Sequence, residues 1–327
     1  MHGVSQVLAF VVATVALAGL AWMVAFATDH VGRRMGPGIT GFLQASLGNL
    51  PEFFVVLFAL GAGERVVAQT AILGSILVNA LLVLGIVIVA GARQSHDGLM
   101  RFNLRLPNDT ATLLLSASFI IVVVGLVTAT HDAASHHTET ISIIAAVAIL
   151  VVYATWLWSY LRADTGPGHD HDPPRLSAAT SVGLFLVAGV ESAFVSDWFV
   201  HALTPTIHKL HISRPFAGLV IVAIAGNAVE HVAGIVLAAR GQADLAISIV
   251  KNSVGQIAAF LYPVLVLVSL LFTTTLTFAI PPVYIGALFG TSVIVWQITG
   301  DGEATIFEGT ALIAAFVMLA TVAAFES

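Results

Sequence analysis

The sequence predicts an all-α integral membrane protein with about ten transmembrane helices, arranged as two inverted five-helix repeats. Three observations predict this fold: the composition, the number of apolar segments and an internal repeat. Of the 327 residues, 58% are apolar and 9% are charged, whereas soluble domains carry about 25% charged residues. The absence of cysteine excludes disulfides and thiolate metal sites. No basic block indicates a nucleic acid partner, so the lipid bilayer is the expected environment.

The predicted spans follow from the apolar segments, because about 20 apolar residues in a helix cross a bilayer core. These segments are apolar on every face, which excludes barrel strands, since those alternate apolar and polar residues. The first segment lacks the basic start of a signal peptide and is kept as a span. The ten predicted spans are residues 4–27, 38–62, 66–92, 108–130, 139–162, 176–198, 215–240, 243–271, 277–299 and 303–325.

Lysine and arginine residues in the connections predict the orientation, because they accumulate on the cytoplasmic side of a membrane. Eight fall on one side of the predicted topology and three on the other. The bias predicts a multi-pass cell membrane protein with both termini outside and the linker 163–175 in the cytoplasm. The eight are Arg33, Arg34, Arg93, Arg101, Arg105, Arg162, Arg175 and Arg240, and the three are Arg65, Lys209 and Arg214.

Histidines are frequent in the predicted connections. Within the linker, residues 169–172 (HDHD) form either a solvated loop or a weak divalent-metal contact. Six further histidines fall on the predicted outer side and lack close ligand spacing. They are either ordinary loop residues or sensors of pH or metal. These six are His131, His136, His137, His201, His208 and His211.

An internal repeat divides the chain into two halves. Residues 48–52 (GNLPE) recur 178 residues later as residues 226–230 (GNAVE). We therefore predict an N-terminal five-helix repeat at 1–162, a linker at 163–175 and a C-terminal five-helix repeat at 176–327. Because five is odd, the second repeat enters the membrane from the opposite side. Inverted repeats are typical of transporters that expose one site alternately to each side.

The repeated motif places one glutamate deep inside an apolar span of each half. A charged carboxylate there costs at least about 2.5–3.5 kcal/mol, so Glu52 and Glu230 are expected to bind or pair with something. Asn49 and Asn227 each precede their glutamate by three positions and share its helix face. Pro51 is expected to break or kink its helix, which frees carbonyl groups to face a cavity.

The following span of each repeat adds neutral oxygen donors. Oxygen ligands suit Ca²⁺ or Na⁺ far better than a soft metal. Two carboxylates balance one Ca²⁺ or two protons, and competition for the same oxygens is sufficient for antiport. A structural polar network explains any one of these residues, but it explains two matching copies poorly. The predicted neutral donors are Ser75 and Asn79 in the first repeat and Asn252, Ser253 and Gln256 in the second.

The two motifs resemble the α-repeats of the cation/calcium exchanger superfamily. The second copy continues with His231 and resembles the Ca²⁺/H⁺ antiporter branch. The resemblance covers essentially the whole chain and implies ten core helices, alternating access and Ca²⁺ held by the two motif glutamates. Supporting matches are residues 74–77 with Asn79, Ser196-Asp197 where the branch usually has Ser-Glu, Gln256-Ile257-Ala258 with Pro263, and Asp301-Gly302 with Glu308-Gly309.

Four further residues have an open role. Lys251 departs from the branch and lies about 12 Å into its span. It is either a paired or snorkelling lysine or a charge used in transport, with Glu191 or a site glutamate as the expected partner. His231 either relays protons and tunes Glu230 or simply packs. Glu191 and Glu308 form either structural hydrogen bonds or part of a proton pathway.

The main expectation is a secondary antiporter that exchanges a divalent cation, Ca²⁺, for protons. The alternative within the superfamily is a Na⁺/Ca²⁺ or Na⁺/H⁺ exchanger, because oxygen sites accept both ions. A cation channel is a third reading. An intramembrane hydrolase is disfavoured, since Glu230-His231 stands without the rest of a His-Glu-x-x-His motif. No enzyme activity and no organic cofactor are expected.

Overall fold

A computed structural model describes residues 2–35, 49–163 and 178–326. Helices make up almost all of these ranges, with one two-stranded ribbon. The helices are α1 (His2–Met35), α2 (Leu50–Gly61), α3 (Arg65–Gln94), α4 (Arg105–Ala129), α5 (Thr138–Ala163), α6 (Ala178–Leu210), α7 (Arg214–Gly226), α8 (Ala228–Ala239), α9 (Ala243–Ser269), α10 (Pro282–Thr299) and α11 (Ile306–Phe325). The strands are β1 (Leu99–Arg101) and β2 (Glu303–Thr305).

The helices confirm the predicted all-α membrane architecture. Within the described ranges, eight helices are long and apolar enough to cross a membrane, and the bent pair α7–α8 makes a ninth if it is one span. Helix α2 is apolar but has 12 residues, and the residues before it lie outside the described ranges. The count of ten therefore stays a prediction. Most of the predicted linker, with its His-Asp pairs at 169–172, also lies outside the described residues.

Several predicted boundaries were wrong. Helix α6 continues past the predicted end at residue 198 to Leu210, because its buried face continues with apolar residues such as Phe199 and Leu203. The ninth predicted span begins at Pro282 rather than at 277, since the preceding loop folds back on α3, where the Gln69 amide donates to the carbonyl of Ala279. The tenth begins at residue 306 because 303–305 form β2.

The connections lie at two opposite faces of the helical bundle. We call one the ribbon face, formed by residues 95–104, 240–242 and 300–305. There β1 and β2 pair antiparallel, and the Asn103 N–H donates to Asp244. A hydrogen bond from the Arg101 guanidinium lowers the pKa of Asp97 to about 2, and the same guanidinium bonds Glu303. The ribbon therefore ties together loops from the two halves of the chain.

The opposite face, which we call the histidine face, is formed by residues 62–64, 130–137, 211–213 and 270–281. Arg214 donates to Glu64 there at 2.9 Å, and Arg65 donates to Thr277 at 3.2 Å. Both contacts join residues that are far apart in sequence. The two faces thus collect alternate connections along the chain, as expected for helices that cross a membrane in succession.

The two halves match element by element around the repeated motif. Helices α2 and α8 begin and end at equivalent positions of the 178-residue offset. Each is followed by a glycine with positive φ, Gly63 at 78° and Gly241 at 75°. The next helices then become π-helical at Val78–Val83 and Ile257–Leu261. The turn after α2 lies at the histidine face and the turn after α8 at the ribbon face, so the two motif helices run in opposite directions.

A close helix crossing holds α3 of the first half against α7 of the second. A Cβ atom on Gly74 would lie 2.5 Å from the Cα atom of Leu219. A Cβ atom on Gly218 would lie 2.7 Å from the carbonyl oxygen of Val67. Small residues let transmembrane helices approach in this way. The crossing fixes the position of Ser75, which follows Gly74, relative to the second motif.

Candidate cation site

The candidate site is built on two helix starts in the middle of the bundle. Asn49 and Asn227 directly precede α2 and α8 and have non-helical backbone angles. In the second half, α7 and α8 meet at Asn227 with a bend of 64°. Pro51 lies in the first turn of α2, but the equivalent start of α8 has no proline. The break in the second half therefore does not depend on proline.

The two motif glutamates are brought together at these helix starts. Glu52 is 2% exposed, and Gly226 of the second motif packs directly against its side chain. Glu230 lies close enough to Glu52 for the two carboxylates to repel each other. Both carboxylate oxygens of Glu52 and Oε2 of Glu230 are buried without a hydrogen-bond partner in the described part of the chain. Such a pair is stabilised by a cation or by protons.

Neutral donors surround the carboxylates. Ser75 and Asn227 lie beside the carboxylate of Glu52, and Ser253 lies beside that of Glu230. The Asn227 amide donates to the Ser75 hydroxyl at 3.1 Å. This bond joins α3 of the first repeat to the motif of the second, so the two half-sites are physically linked.

The two half-sites are not equivalent. At the 178-residue offset of the repeat, Asn227 corresponds to Asn49 and Ser253 corresponds to Ser75. Within the described residues, Nδ2 of Asn49 and Oγ of Ser253 are buried without hydrogen-bond partners, whereas the equivalent atoms of Asn227 and Ser75 bond each other. An inverted repeat has this property when one half adopts a different conformation from the other.

Two further predicted donors are associated with π-helical segments: Asn79 lies within Val78–Val83, and Gln256 directly precedes Ile257–Leu261. The third, Asn252, has a buried Oδ1 without a hydrogen-bond partner in the described residues. The Asn79 amide donates to the Ser75 carbonyl at 3.0 Å, and Oδ1 of Asn79 has no partner in the described residues. Gln256 is buried directly before the segment Ile257–Leu261. Short π-helical segments are frequent at functional sites. Neither segment is predicted by the sequence, because one extra residue in a helical turn has no compositional signature.

The remaining candidates are placed differently. His231 is buried beside Glu230, and its Nε2 has no partner in the described part of the chain. Glu191 lies on the exposed side of α6, in a row with Val190 and other apolar residues. Glu308 forms a capping box with Thr305 at the start of α11. His231 is therefore buried at the position that follows Glu230, whereas Glu191 and Glu308 lie away from the two motifs.

Lys251 is buried and donates to the hydroxyl of Thr299 at 2.5 Å. Thr299 is the last residue of α10, and helix C-termini attract cations. Glu191, the partner suggested by the sequence, lies on the outer side of α6. Side chains two positions apart in an α-helix are rotated by about 200° around the helix axis. Lys251 and Ser253 therefore point to nearly opposite sides of α9. The ammonium group is directed away from the side of α9 that carries Ser253.

We expect the Lys251→Met variant to keep the wild-type preference among Ca²⁺, Mn²⁺ and Na⁺, because the ammonium group does not share a helix side with the site. Methionine retains the apolar stem and removes the charge together with the bond to Thr299. Thr299→Val is the matched control, because it removes the hydroxyl that accepts from Lys251, and with it the bond to the Val295 carbonyl, but keeps the charge. Competition for cation binding by the purified protein measures the preference. A changed preference in Lys251→Met alone would assign its charge to the transport cycle.

The donor set is rich in oxygen and contains few charges. Within the described ranges, no three His, Asp or Glu side chains gather into a group able to hold a metal ion. The histidines of the histidine face therefore do not form such a cluster with described residues. The candidate site offers two carboxylates and several amide and hydroxyl oxygens, which fits a hard cation.

Comparison with known proteins shows the same architecture. The family model described as sodium/calcium exchanger protein matches residues 5–161 and 180–325. The chain is 31% identical over 321 residues to the vacuolar calcium ion transporter of Schizosaccharomyces pombe, covering 95% of this chain and 77% of that protein. It is 29% identical over 332 residues to the Ca²⁺/H⁺ antiporter ChaA of Bacillus subtilis, covering 98% and 92%.

A solved structure supports the match at the level of the whole fold. The structure of native YfkE superimposes with a TM-score of 0.79 at 26% identity and covers 97% of this chain and 92% of that one. The family model covers both motifs, and the aligned relatives span nearly the full length. The chain belongs to the sodium/calcium exchanger protein family.

Proposed function

We propose that this chain is a secondary antiporter that exchanges Ca²⁺ for protons by alternating access. The observation that carries the proposal is the group of three buried carboxylate oxygens, from Glu52 and Glu230, without partners in the described residues. A buried carboxylate without a partner costs several kcal/mol. One Ca²⁺ or two protons neutralise the pair, so each species displaces the other from the same oxygens.

The proposed cation site comprises the two glutamates and the neutral oxygens around them. Glu52 and Glu230 supply the charge and take up the protons. The neutral donors complete the coordination, because Ca²⁺ takes six to eight oxygen ligands in flexible geometry. The proposed role of His231 is to relay protons to Glu230 or to tune it. The proposed neutral donors are Asn49, Asn227, Ser75, Ser253, Asn79 and Gln256.

The relatives support this choice of substrates. One is named a Ca²⁺/H⁺ antiporter and another a vacuolar calcium ion transporter, each aligned over nearly the whole chain. Both are transporters, and this chain is accordingly a transporter and not an enzyme. Transported Ca²⁺ and protons are its substrates, and no organic cofactor takes part.

The proposed orientation places the ribbon face in the cytoplasm. Arg93, Arg101 and Arg240 lie at or next to that face, in keeping with the excess of arginine on the cytoplasmic side of membrane proteins. It follows that the linker 163–175 is cytoplasmic and both termini lie outside, in a chain divided into five-helix repeats at 1–162 and 176–327. Proton entry from outside then drives export of Ca²⁺.

Titration of the purified protein tests the proposal. We expect Ca²⁺ to release protons from the protein, approaching two per bound ion, because the cation and protons share two carboxylates. Na⁺ at equal ionic strength is expected to release none. A pH indicator measures release, with the Glu52→Gln/Glu230→Gln variant as control. Proton release by Na⁺ instead would favour a Na⁺/H⁺ or Na⁺/Ca²⁺ exchanger, and no release by either ion would overturn the coupling.

A further inference from the structure

The packing of the bundle differs on the two sides of the candidate site. Helix α2 runs from the site to the histidine face, and α8 runs from the site to the ribbon face. If the two repeats had the same conformation, α6 would pack along α2 just as α1 packs along α8. Among the described residues the structure departs from that symmetry, because α6 packs along α2 far more extensively than α1 packs along α8. The described helices therefore pack more tightly on the histidine side of the site than on the ribbon side.

Exposure along the two motif helices supports this difference. On α8, Val232 is 61% exposed and Val236 is 39% exposed. Their equivalents on α2 at the 178-residue offset are Phe54 and Phe58, which are only partly exposed and stack on each other. Within the described part of the chain, the motif helix on the ribbon side is thus less covered by its neighbours than the one on the histidine side.

A hydrogen bond crosses the contact between α6 and α2. The hydroxyl of Ser196, fully buried on α6, donates to the backbone carbonyl of Pro51 on α2 at 3.1 Å. Pro51 directly precedes Glu52, so this bond attaches α6 to the backbone that positions the first site carboxylate. Nearer the start of both helices, Gly189 of α6 packs against Leu50 of α2. A bond of this length does not survive sliding of α6 along α2.

The bond has no counterpart in the other half. Buried positions of α6 match those of α1 at an offset of 179 residues, so that Ser192 corresponds to Ala13, Ser196 to Leu17 and Val200 to Ala21. Leu17 carries no hydrogen-bond donor. When the two repeats exchange conformations, the approach of α1 to α8 forms no equivalent bond.

We infer that Ser196 is a latch, a positioning residue whose bond to Pro51 favours the state open to the ribbon face over the state open to the histidine face. The inference rests on the alternating access of the proposed function. A buried neutral hydrogen bond has a net effect of about fivefold on an equilibrium constant. The latch therefore biases the access equilibrium about fivefold toward the ribbon side.

Distance measurement between the two helices tests the latch without any ion. The natural chain has no cysteine, so spin labels at Ala62→Cys and Lys209→Cys, both exposed at the histidine face, report the separation of α2 and α6. Ser196→Ala is expected to increase the ratio of long to short distances about fivefold. Ser196→Thr, which keeps a hydroxyl, is expected to retain the wild-type distribution.

Ser192→Ala is the matched control. The Ser192 hydroxyl is equally buried on α6 and donates to the Ala188 carbonyl of its own helix, at 2.7 Å. It is expected to leave the distances unchanged. An unchanged distribution in Ser196→Ala, or an equal shift in Ser192→Ala or Ser196→Thr, overturns the latch.

Transport supplies a second readout. With Ca²⁺ added at one face of oriented vesicles and then at the other, Ser196→Ala is expected to change the ratio of the two half-saturating concentrations about fivefold, because each depends on the fraction of protein open to that face. A merely structural defect raises both concentrations together, and that result also overturns the latch. If the wild-type protein shows no Ca²⁺/H⁺ exchange, the proposed function fails, and the distance measurement still decides the latch.

Discussion

Replacing Glu52 or Glu230 with glutamine is expected to abolish proton-coupled Ca²⁺ transport while the protein still folds. Glutamine has almost the same volume and keeps one neutral oxygen, but it carries no charge and takes up no proton. One unit charge about 4 Å from a divalent cation is worth about 8 kcal/mol at an effective dielectric constant of 20. The apparent affinity for Ca²⁺ should therefore fall by at least about a thousandfold, which corresponds to about 4 kcal/mol.

Ca²⁺ flux in reconstituted vesicles, followed together with internal pH, measures this effect. Glu139→Gln provides the control, since Glu139 is an exposed residue in the first turn of α5 at the histidine face. It should transport like the natural protein. Full proton-coupled flux in Glu52→Gln or Glu230→Gln would falsify the assignment of these carboxylates as the shared site.

Addition of one methyl group at Gly74 is expected to have the second large effect. The new Cβ atom would lie 2.5 Å from the Cα atom of Leu219, and backbone atoms cannot rotate away as a side chain can. Overpacking of this kind typically costs about 1–3 kcal/mol. Because Ser75 follows Gly74, separation of α3 and α7 also disturbs the Ser75–Asn227 bond. Gly74→Ala should therefore lose both thermal stability and Ca²⁺ flux.

Gly286→Ala is the matched comparison, because a Cβ atom on Gly286 of α10 meets no atom within 4 Å. Alanine in a helix is favoured over glycine by roughly 0.5–1 kcal/mol, so this variant should be at least as stable as the natural protein. Thermal unfolding in one detergent compares the two. Equal melting temperatures for Gly74→Ala and Gly286→Ala would contradict the close crossing.

The polar residues of the two motifs have a structural role in the candidate site. Asn227 donates to Ser75 across the repeat boundary, and the Asn79 amide donates to the Ser75 carbonyl. These amides orient Ser75 beside Glu52 while one half-site remains incompletely bonded. Partial satisfaction of buried groups favours exchange of partners, because the cation or protons supply what the protein does not.

The sequence by itself determined the membrane architecture, the repeat and the two carboxylates. Composition and segment length are sufficient to predict the membrane architecture, since backbone N–H and C=O groups in lipid must form their hydrogen bonds within helices. The motifs at 48–52 and 226–230 are sufficient for the others, because a glutamate in an apolar span is costly and two equally spaced copies indicate one site. The family match agrees with the predicted membrane architecture, and Glu52 is buried against Gly226 of the second motif.

The tertiary structure decided which polar residues meet. From the sequence, Glu191, Glu308 and Lys251 are all predicted to be charged residues within the membrane. In the fold, Glu191 lies on the outside of α6 and Glu308 caps the start of α11. Lys251 instead donates to Thr299. Side-chain direction depends on helix rotation and on the partners that each helix packs against, and hydropathy contains neither. The Ser196–Pro51 bond and the π-helical segments depend on contacts between distant residues or on one extra residue in a turn, so only the folded chain specifies them.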